Sequence, residues 1–582
     1  MTDKNFKKYS NNPQNKHDIT EKTTQKPKFI FITGGVLSSL GKGLVAASTG
    51  CILKEHGYSV NLKKMDPYLN VDPGTMNPMQ HGEVFVTDDG TETDLDLGNY
   101  ERMTGITTSY YSTTTSGKIY QKLLKRERKG YYLGKTVQVI PHVTGLIKEF
   151  LLNDADKYDF NIIEVGGTVG DIESTPFLEA IRQLRAELGY KNTMFLHLSF
   201  VPYLGQTDEV KTKPTQHSVK MLMQAGIIAD AIMCRTKQHI GEKDKKKIAM
   251  FCNVDAENVI EAPDVDEIYS LPYIYAQQGL TQAIFNHFGI DNINSNDAEK
   301  FAKWNSYATK KHDNSLQEVV VCIAGKYGNS NDCYKSLVEA IKHAGFANNV
   351  KIKLQWIDTH RVDDKNIAQS LAGVNCIIVP GGFGAEGAEG KIAVIKYARE
   401  HDIPYLGICF GMQLAVIEFM RNVVGEKNAT STEFDENAKV PVVYLMKAWE
   451  CKNGTIEERN KDYDLGGTMR LGAYTSVIEE RTLAMKIYND DTITERHRHR
   501  YEINSNYIET IEKHGGKFSA FAKVKGDMKG LRIPEIFENP KCKFFISCQF
   551  HPEFLSRPFA CHPLFKALVN AGLEYRKNNN NK

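Results

Sequence analysis

Eleven cysteines are present, yet the sequence holds no C-x-x-C pair and no Cys/His grouping at zinc-binding spacing, so neither a disulfide framework nor a structural zinc site is expected. Thiols scattered in this way suit a reducing compartment, and a cytoplasmic location is expected. No run approaches the roughly 18 apolar residues of a membrane span. The opening stretch, MTDKNFKKYSNNPQNKHDITEKTTQKPK, lacks the apolar centre of a secretory signal. An excess of one charge is missing too: 73 Lys and Arg against 71 Asp and Glu leave a net +2. The overall balance therefore argues for no nucleic-acid and no membrane partner. Any anionic ligand must be held by local clusters of Lys and Arg.

What is present is an ordinary globular composition, 41% hydrophobic and 25% charged over 582 residues, several times the length of one core. Apolar runs at Phe29–Thr33, Tyr58–Lys64, Phe160–Val165, Thr193–Phe200 and Ala231–Cys234 read as buried strands. Between them Lys42–Glu55, Leu178–Leu188 and Ser218–Ala225 read as helices. The pattern weakens over 292–317 and restarts with strands at Val319–Ala324, Val374–Val379 and Pro404–Ile408, with long loops at Glu426–Ala438 and Arg459–Leu465. The expected fold class is α/β: two doubly wound, mainly parallel-sheet domains (28–291 and 318–577) joined by a helical linker (292–317), with polar tails at 1–27 and 578–582.

The segment GGVLSSLGKG, Gly34–Gly43, lies between a strand and a helix, where backbone N–H groups and a helix start can receive phosphate and Lys42 can neutralise it. The fit to a P-loop is imperfect. Five residues separate Gly35 from Gly41, and Gly43 stands where a Ser or Thr hydroxyl would meet a metal; an ordinary glycine turn remains open. A metal must then find carboxylates elsewhere, and Asp94, Asp96 and the strand-terminal Glu164 are candidates. In KTKPTQHSVK, Lys211 and Lys213 would project to one side of an extended segment, suited to a triphosphate, although a lysine run is commonly a solvated face.

In the second half, PYLGICFGMQ runs a strand into Gly407-Ile408-Cys409-Phe410-Gly411 and then a helix. This is a nucleophile elbow with sulfur in place of oxygen, and a helix start favours thiolate. CQFHPEF supplies a base, His551, and an orienting carboxylate, Glu553, which an extended Pro552 would set on one side of a strand. The turn PGGFG, Pro380–Gly384, can present backbone N–H groups to an oxyanion.

The Cys elbow, H-P-E and PGGFG together resemble class I glutamine amidotransferases. With GGVLSSLGKG, the run MDPYLNVDPGTMNPMQHGEVFVTDDGTETDLDLGNYER, GGTVGDIES, KTKPTQHSVK and RHRHRYE, the chain from about Lys28 to Lys577 resembles the CTP synthase family. That resemblance implies a ligase that aminates UTP to CTP with ATP, Mg²⁺ and L-glutamine, with GTP as allosteric activator, CTP as feedback inhibitor and a homotetramer built as a dimer of dimers. It implies Ser39, Leu40, Gly41, Lys42, Gly43, Leu44 and Asp96 for ATP, with Arg235, Pro263, Asp264 and Val265 near the adenine. Asp96 and Glu164 are implied for magnesium. Ser38, Lys211, Thr212, Lys213, Pro214, Thr215, Gln216 and Lys247 are implied for the UTP phosphates that CTP shares, and Asp171, Ile172 and Glu173 for CTP as inhibitor. Gly382, Phe410, Gly411, Met412, Gln413, Glu433 and Arg500 are implied for glutamine around Cys409, His551 and Glu553. Lys64 is a candidate second cation at the transferred phosphoryl, and His81 a residue near the mouth of an ammonia channel.

The chain departs from the family's P-G-G-F-G-x-R-G pattern by carrying Glu386 where Arg, associated with GTP activation, is usual. Phe410 replaces a commoner Leu while offering the same backbone N–H. Two other readings stand beside this one: an amidase of the cobyrinic-acid type, which would not need KTKPTQ, and a nucleotide-driven switch or filament scaffold, which would not need Cys409, His551, Glu553, Asp96 and Glu164 together.

Overall fold

The computed structural model describes residues 26–205, 209–291, 297–310, 313, 315–326, 332–446, 448–450, 456–458, 469–523 and 532–580. Seven strands, β1 (Lys28–Gly34), β2 (Val60–Asp66), β3 (Thr113–Thr115), β4 (Phe160–Val165), β5 (Thr193–Phe200), β6 (Ala231–Thr236) and β7 (Val259–Pro263), form one sheet in the order β7-β6-β5-β1-β4-β2-β3. Every pairing in it is parallel. Continuous apolar runs form these strands because both faces are covered. In β1, Ile30 and Ile32 enter the core on one face, and Phe29 and Phe31 the core on the other. The chain leaves the central strand β1 with neighbours on both sides, so the carboxyl ends of β1, β2 and β4 open onto one crevice, where ligands of open α/β sheets collect.

The second sheet contains β8 (Glu318–Gly325), β9 (Lys351–Asp358), β10 (Cys376–Val379), β11 (Tyr405–Ile408), β12 (Arg470–Ile478), β13 (Thr492–His499), β14 (Lys517–Ala522), β15 (Pro534–Glu538) and β16 (Phe545–Cys548). Its order is β9-β8-β10-β11-β16-β15-β14-β12-β13. The half from β9 to β16 is parallel, whereas β15, β14, β12 and β13 extend it antiparallel. The second sheet is thus mixed. Helices Asp297–Lys300 and Ala302–Lys310 connect the two sheets and are packed between them: Trp304 meets Phe559 with ring centroids 4.9 Å apart, and Tyr307 stacks on Phe346 at 4.4 Å.

Several boundaries differ from expectation. The C-terminal helix Pro563–Asn580 takes in residues 578–580, assigned above to the tail, because nothing in RKNNN stops a helix. Thr212 is already helical and Lys213 opens the helix Lys213–Gln224, so Lys211 and Lys213 do not share one side of an extended segment; Pro214 fits a first helical turn, whose N–H groups need no partner. Likewise Pro552–Phe554 forms one 3-10 turn rather than a continuation of a strand. Residues 1–25 and the Arg459–Leu465 loop lie outside the described residues.

The two halves meet along β13. Arg496, 1% exposed, sends Nε to Asp88 Oδ1 (2.6 Å), Nη1 to the Val86 carbonyl (3.1 Å) and Nη2 to both Glu101 oxygens (3.1 and 3.0 Å). Arg498 reaches Glu92 (2.8 Å) and the Gly74 carbonyl (3.2 Å). Nearby, Glu83 accepts the Ser336 backbone N–H at 2.9 Å, and burial pushes its carboxyl up to about 7. A carboxyl raised in this way contributes stability while protonated and loses it as pH rises through about 7. Glu83→Gln keeps the acceptor without the charge, so it should raise the thermal midpoint relative to wild type at pH 8 and change it little near pH 5 in calorimetric scans.

Candidate functional site

The loop after β1 turns through positive φ at Val36 (79°), Ser39 (57°) and Gly41 (99°) before the helix Lys42–Glu55 begins. Ser38 and Ser39 are exposed, Leu40 is buried, and Gly41 and Leu44 are half-buried. Lys42 is buried and donates to the Gly167 carbonyl at 2.7 Å; burial holds its ammonium below the usual range. Beneath the loop, Thr33 Oγ1 bonds His197 Nδ1 (2.9 Å), and His197 Nε2 bonds Ser218 Oγ (2.7 Å). That ties the helix carrying Lys213, Pro214, Thr215 and Gln216 to the phosphate loop.

Four carboxylates converge on Lys64, which β2 presents directly opposite Glu164 of β4. Its Nζ contacts Asp66 (3.7 Å), Asp94 (3.2 Å), Glu164 (3.7 Å) and, most closely, Asp96. Burial alone would lower the Lys64 ammonium, but the carboxylates together hold it well above the usual range. Burial, with Asp94 and Asp96 adding, pushes Asp66 up to about 7; burial, followed by Asp96, pushes Glu164 up to about 8. Tyr100 donates its hydroxyl to Glu164.

Gly43 now has a reason. A Cβ there would lie 1.9 Å from Asp96 Oδ1, so the Asp96 carboxylate takes the space where a P-loop hydroxyl would sit. Among the described residues no three His, Cys, Asp or Glu side chains could hold a metal ion by themselves. The donor set nevertheless fits Mg²⁺, which uses one or two carboxylates together with waters and substrate phosphates. Hard oxygens are gathered here in excess of the two ammonium groups, and three of the four carboxyls, Asp66, Asp94 and Glu164, are raised by burial and by neighbouring carboxylates.

Around this cluster, Arg235 at the end of β6 pairs with Asp264 (2.6 Å), and one of its guanidinium nitrogens lies 3.6 Å from a Cβ position on Gly41. Pro263 ends β7 opposite Thr236, and Val265 packs against the core. Lys211 pairs with Glu209, whose charge also feels the exposed Lys247. Thr212 Oγ1 accepts from Gln216 at 3.0 Å, and Thr215 Oγ1 accepts from Ser199 at 3.2 Å. Asp171, Ile172 and Glu173 stand exposed on the turn after Gly170. His81 lies at the exposed end of a short helix, its ring 6.4 Å from that of Tyr68.

In the second domain Cys409 has φ 52° and ψ −101°, a conformation costly to a residue with a side chain, between β11 and the helix Phe410–Phe419. Gly411 makes the turn feasible, since a Cβ on it would lie 2.1 Å from the Val379 carbonyl. His551 Nδ1 bonds Glu553 Oε1 at 2.7 Å across the one-turn 3-10 helix. Burial would lower the imidazole, but Glu553 and then a charge on Cys409 raise it to about 10. Among the described residues no acceptor or donor meets hydrogen-bond geometry at His551 Nε2, although the Cys409 side chain is near enough to act on the ring. Cys409 Sγ takes a contact from Gln549 Nε2 (3.6 Å) and lies 3.8 Å from the Arg498 carbonyl.

Glu433 accepts the Gly384 N–H at 2.8 Å; burial raises its carboxyl, while Arg500 is among the charges that oppose the shift. Gln413 donates to the Tyr501 carbonyl (2.8 Å), Met412 is fully buried, and Gly382 faces Lys391 and Phe410. The structure thus sets Phe410, Gly411 and Gln413 on the helix that follows Cys409, Gly382 against Phe410, and Glu433 on Gly384 with Arg500 acting on it, while Lys42, Asp96, Glu164 and Lys64 gather at a separate crevice. Sequence reading missed Asp66, two residues after Lys64 on β2, and Tyr100, one turn along the helix from Asp96; spacing alone contained both signals. It also missed Lys391 and Gln549, which carry no local signature.

The segment 28–290 matches the family described as CTP synthase N-terminus, and 330–571 matches glutamine amidotransferase class-I. A CTP synthase of Zymomonas mobilis subsp. mobilis is 51% identical over 549 residues, 94% of this chain and 99% of that one. One of Bradyrhizobium sp. is 50% identical over 547 residues, 94% and 98% of the two chains. A solved structure of the Trypanosoma brucei CTPS glutaminase domain with bound acivicin is 36% identical; the match covers 44% of this chain and 94% of that one, with a TM-score of 0.39. Two domain families in sequence and near-complete coverage of full-length relatives make the assignment: the chain belongs to the CTP synthase family of glutamine-hydrolysing ligases.

Proposed function

We propose that this CTP synthase works through the residues assembled above, with Cys409, His551 and Glu553 releasing ammonia and the Lys42, Lys64, Asp96 and Glu164 group activating UTP. The observation that carries this reading is the coexistence of a strained cysteine beside a His–Glu pair and a phosphate loop facing a carboxylate-rich cluster. Cys409 thiolate attacks the glutamine amide, and His551 gives its proton to the departing ammonia. Water, deprotonated by His551, then hydrolyses the glutamyl thioester, with Glu553 holding Nδ1 throughout. Backbone N–H groups of Gly381–Phe383 and of Phe410 face the oxyanion, and losing one such donor costs about 2.7–4 kcal/mol. At the other centre ATP phosphorylates the uracil C4 oxygen, and ammonia displaces the phosphate. Lys42 and Lys64 neutralise the phosphoryl oxygens. Asp96 and Glu164 would hold Mg²⁺, which supplies positive charge to those oxygens.

The adenine is assigned to Arg235 and Pro263–Val265, the shared triphosphate to Ser38, Lys211–Gln216 and Lys247, and the inhibitory CTP to Asp171–Glu173. His81, on the segment between the two sites, belongs to the ammonia path. Residues 28–291 and 318–577 act as the two catalytic domains, in the cytoplasm. Self-association to a dimer of dimers belongs to the same proposal, and it would cover exposed apolar side chains of the first domain such as Leu133, Leu69 and Leu124. For GTP, Glu386 is exposed and acts on Lys326 at the mouth of the glutamine site, a reversed charge where the family carries Arg.

Three measurements test this. Cys409→Ala should abolish CTP formation from glutamine, followed by absorbance, and leave formation from ammonia; no CTP from either source in folded wild type would return the chain to a non-catalytic scaffold. Gly43→Ser, by displacing the Asp96 carboxylate, should lower ammonia-driven CTP formation by about 100-fold while sparing glutamine hydrolysis. GTP should stimulate the wild-type glutaminase weakly, and Glu386→Arg should raise that stimulation about fivefold.

A further inference from the structure

Lys391 lies in the helix Ala388–Glu400, which follows the Pro380–Gly384 turn, and is 1% exposed. Among the described residues no carboxylate pairs with its Nζ and no acceptor takes a hydrogen bond from it. The ammonium instead stands 4.9 Å from the centroid of the Phe410 ring and 3.3 Å from a Cβ position on Gly382. The preceding residue of the same turn, Gly381, places its own Cβ position 2.8 Å from His551 Cε1. Successive residues of one turn therefore touch the base on one side and a buried cation on the other. Both flank Cys409.

A buried ammonium with no permanent partner is expensive to the fold. Burial and then Lys326 push it down to about 7, while Cys409 and Glu433 act in the opposite sense. The charged groups that face it are thus Lys326 at the end of β8, Cys409 after β11, and Glu433. Arg500 acts on Glu433, Glu386 acts on Lys326, and the His551–Glu553 pair lies beyond the turn. No role in the steps above uses Lys391, and a methionine would fill the same volume without a charge.

We propose that Lys391 is a positioning residue of the glutaminase centre, whose counter-ion is the anion that exists only during reaction: the Cys409 thiolate and then the oxyanion held at the Pro380–Gly384 turn. This rests on the reading of Cys409 as nucleophile. The gain is electrostatic and reciprocal, since a thiolate that is favoured by the ammonium also favours the ammonium. Lys391 and Cys409 are both buried, so the attraction is weakly screened.

The test is the rate of Cys409 alkylation by iodoacetamide against pH in the full chain, with Cys409→Ala giving the background from other thiols. In Lys391→Met the midpoint of the thiolate limb should rise by about one pH unit, and glutaminase kcat should fall roughly tenfold with KM little changed. Lys391→Arg should recover part of both. An unmoved midpoint overturns the proposal, whereas glutamine hydrolysis by Cys409→Ala would overturn the glutaminase reading instead. A lysine lowered by burial costs stability while it is charged in the fold, fully below about pH 7 and progressively less toward its ordinary 10.5. Lys391→Met should therefore be at least as heat-stable as wild type, most clearly below pH 7. A variant that does not fold overturns the proposal as well.

Discussion

Arg496 sets the geometry on which both centres depend. Its guanidinium is buried between domains and fully engaged with Asp88, the Val86 carbonyl and Glu101, while its own carbonyl accepts the backbone N–H of His551 at 2.7 Å. Removing one member of such a buried ionic set costs about 3–5 kcal/mol, because the remainder is left charged and unpaired. The constraint is directional as well as energetic. One residue fixes where the first domain stands and where the base of the second domain begins. Two residues on, Arg498 repeats the arrangement, with its side chain on Glu92 and Gly74 and its carbonyl 3.8 Å from Cys409 Sγ. Strand alternation sends both side chains to the same face of β13.

The two centres carry opposite local charge surpluses. Around Lys64 and Lys42, four carboxylates outnumber two ammonium groups, and the strain appears as Asp66 and Glu164 lifted to about 7 and 8. Around Cys409, the cations of Lys391, Lys326, Arg500 and His551 stand against two carboxylates, Glu433 and Glu553. Each surplus matches what the proposed chemistry would bring: cations and their phosphates to the first crevice, a thiolate and an oxyanion to the second. Preorganised charge of this kind has already met its reorganisation cost during folding, which is why it accelerates reactions.

Local backbone chemistry was legible from residues alone where it depended on neighbours in the chain. The helix Lys42–Glu55 and the strands Phe160–Val165 and Thr193–Phe200 fall where apolar runs and flanking glycines put them. The elbow at Cys409 is readable because Gly407 and Gly411 bracket it. The reading failed at two segments taken as extended, one of them on the strength of its proline. At Pro214 and Pro552 the proline sits instead in the first turn of a helix, since its fixed φ suits that position as well as a strand. It also missed the antiparallel half of the second sheet, although three of its four pairings join strands that follow one another in the chain.

The sequence by itself determined the inventory on which the proposed reaction draws: Cys409, His551 and Glu553, the glycine-rich loop with Lys42, and the acidic residues Asp96 and Glu164. Each is a short motif whose meaning lies in residue type and spacing. Only the tertiary structure decided why Gly43 must lack a side chain, which four carboxylates gather around Lys64, and which buried lysine stands near Cys409. Those answers depend on desolvation and on distances between residues 50 or more positions apart in several cases, as between Gly43 and Asp96. Neither quantity exists until the sheets have closed around them.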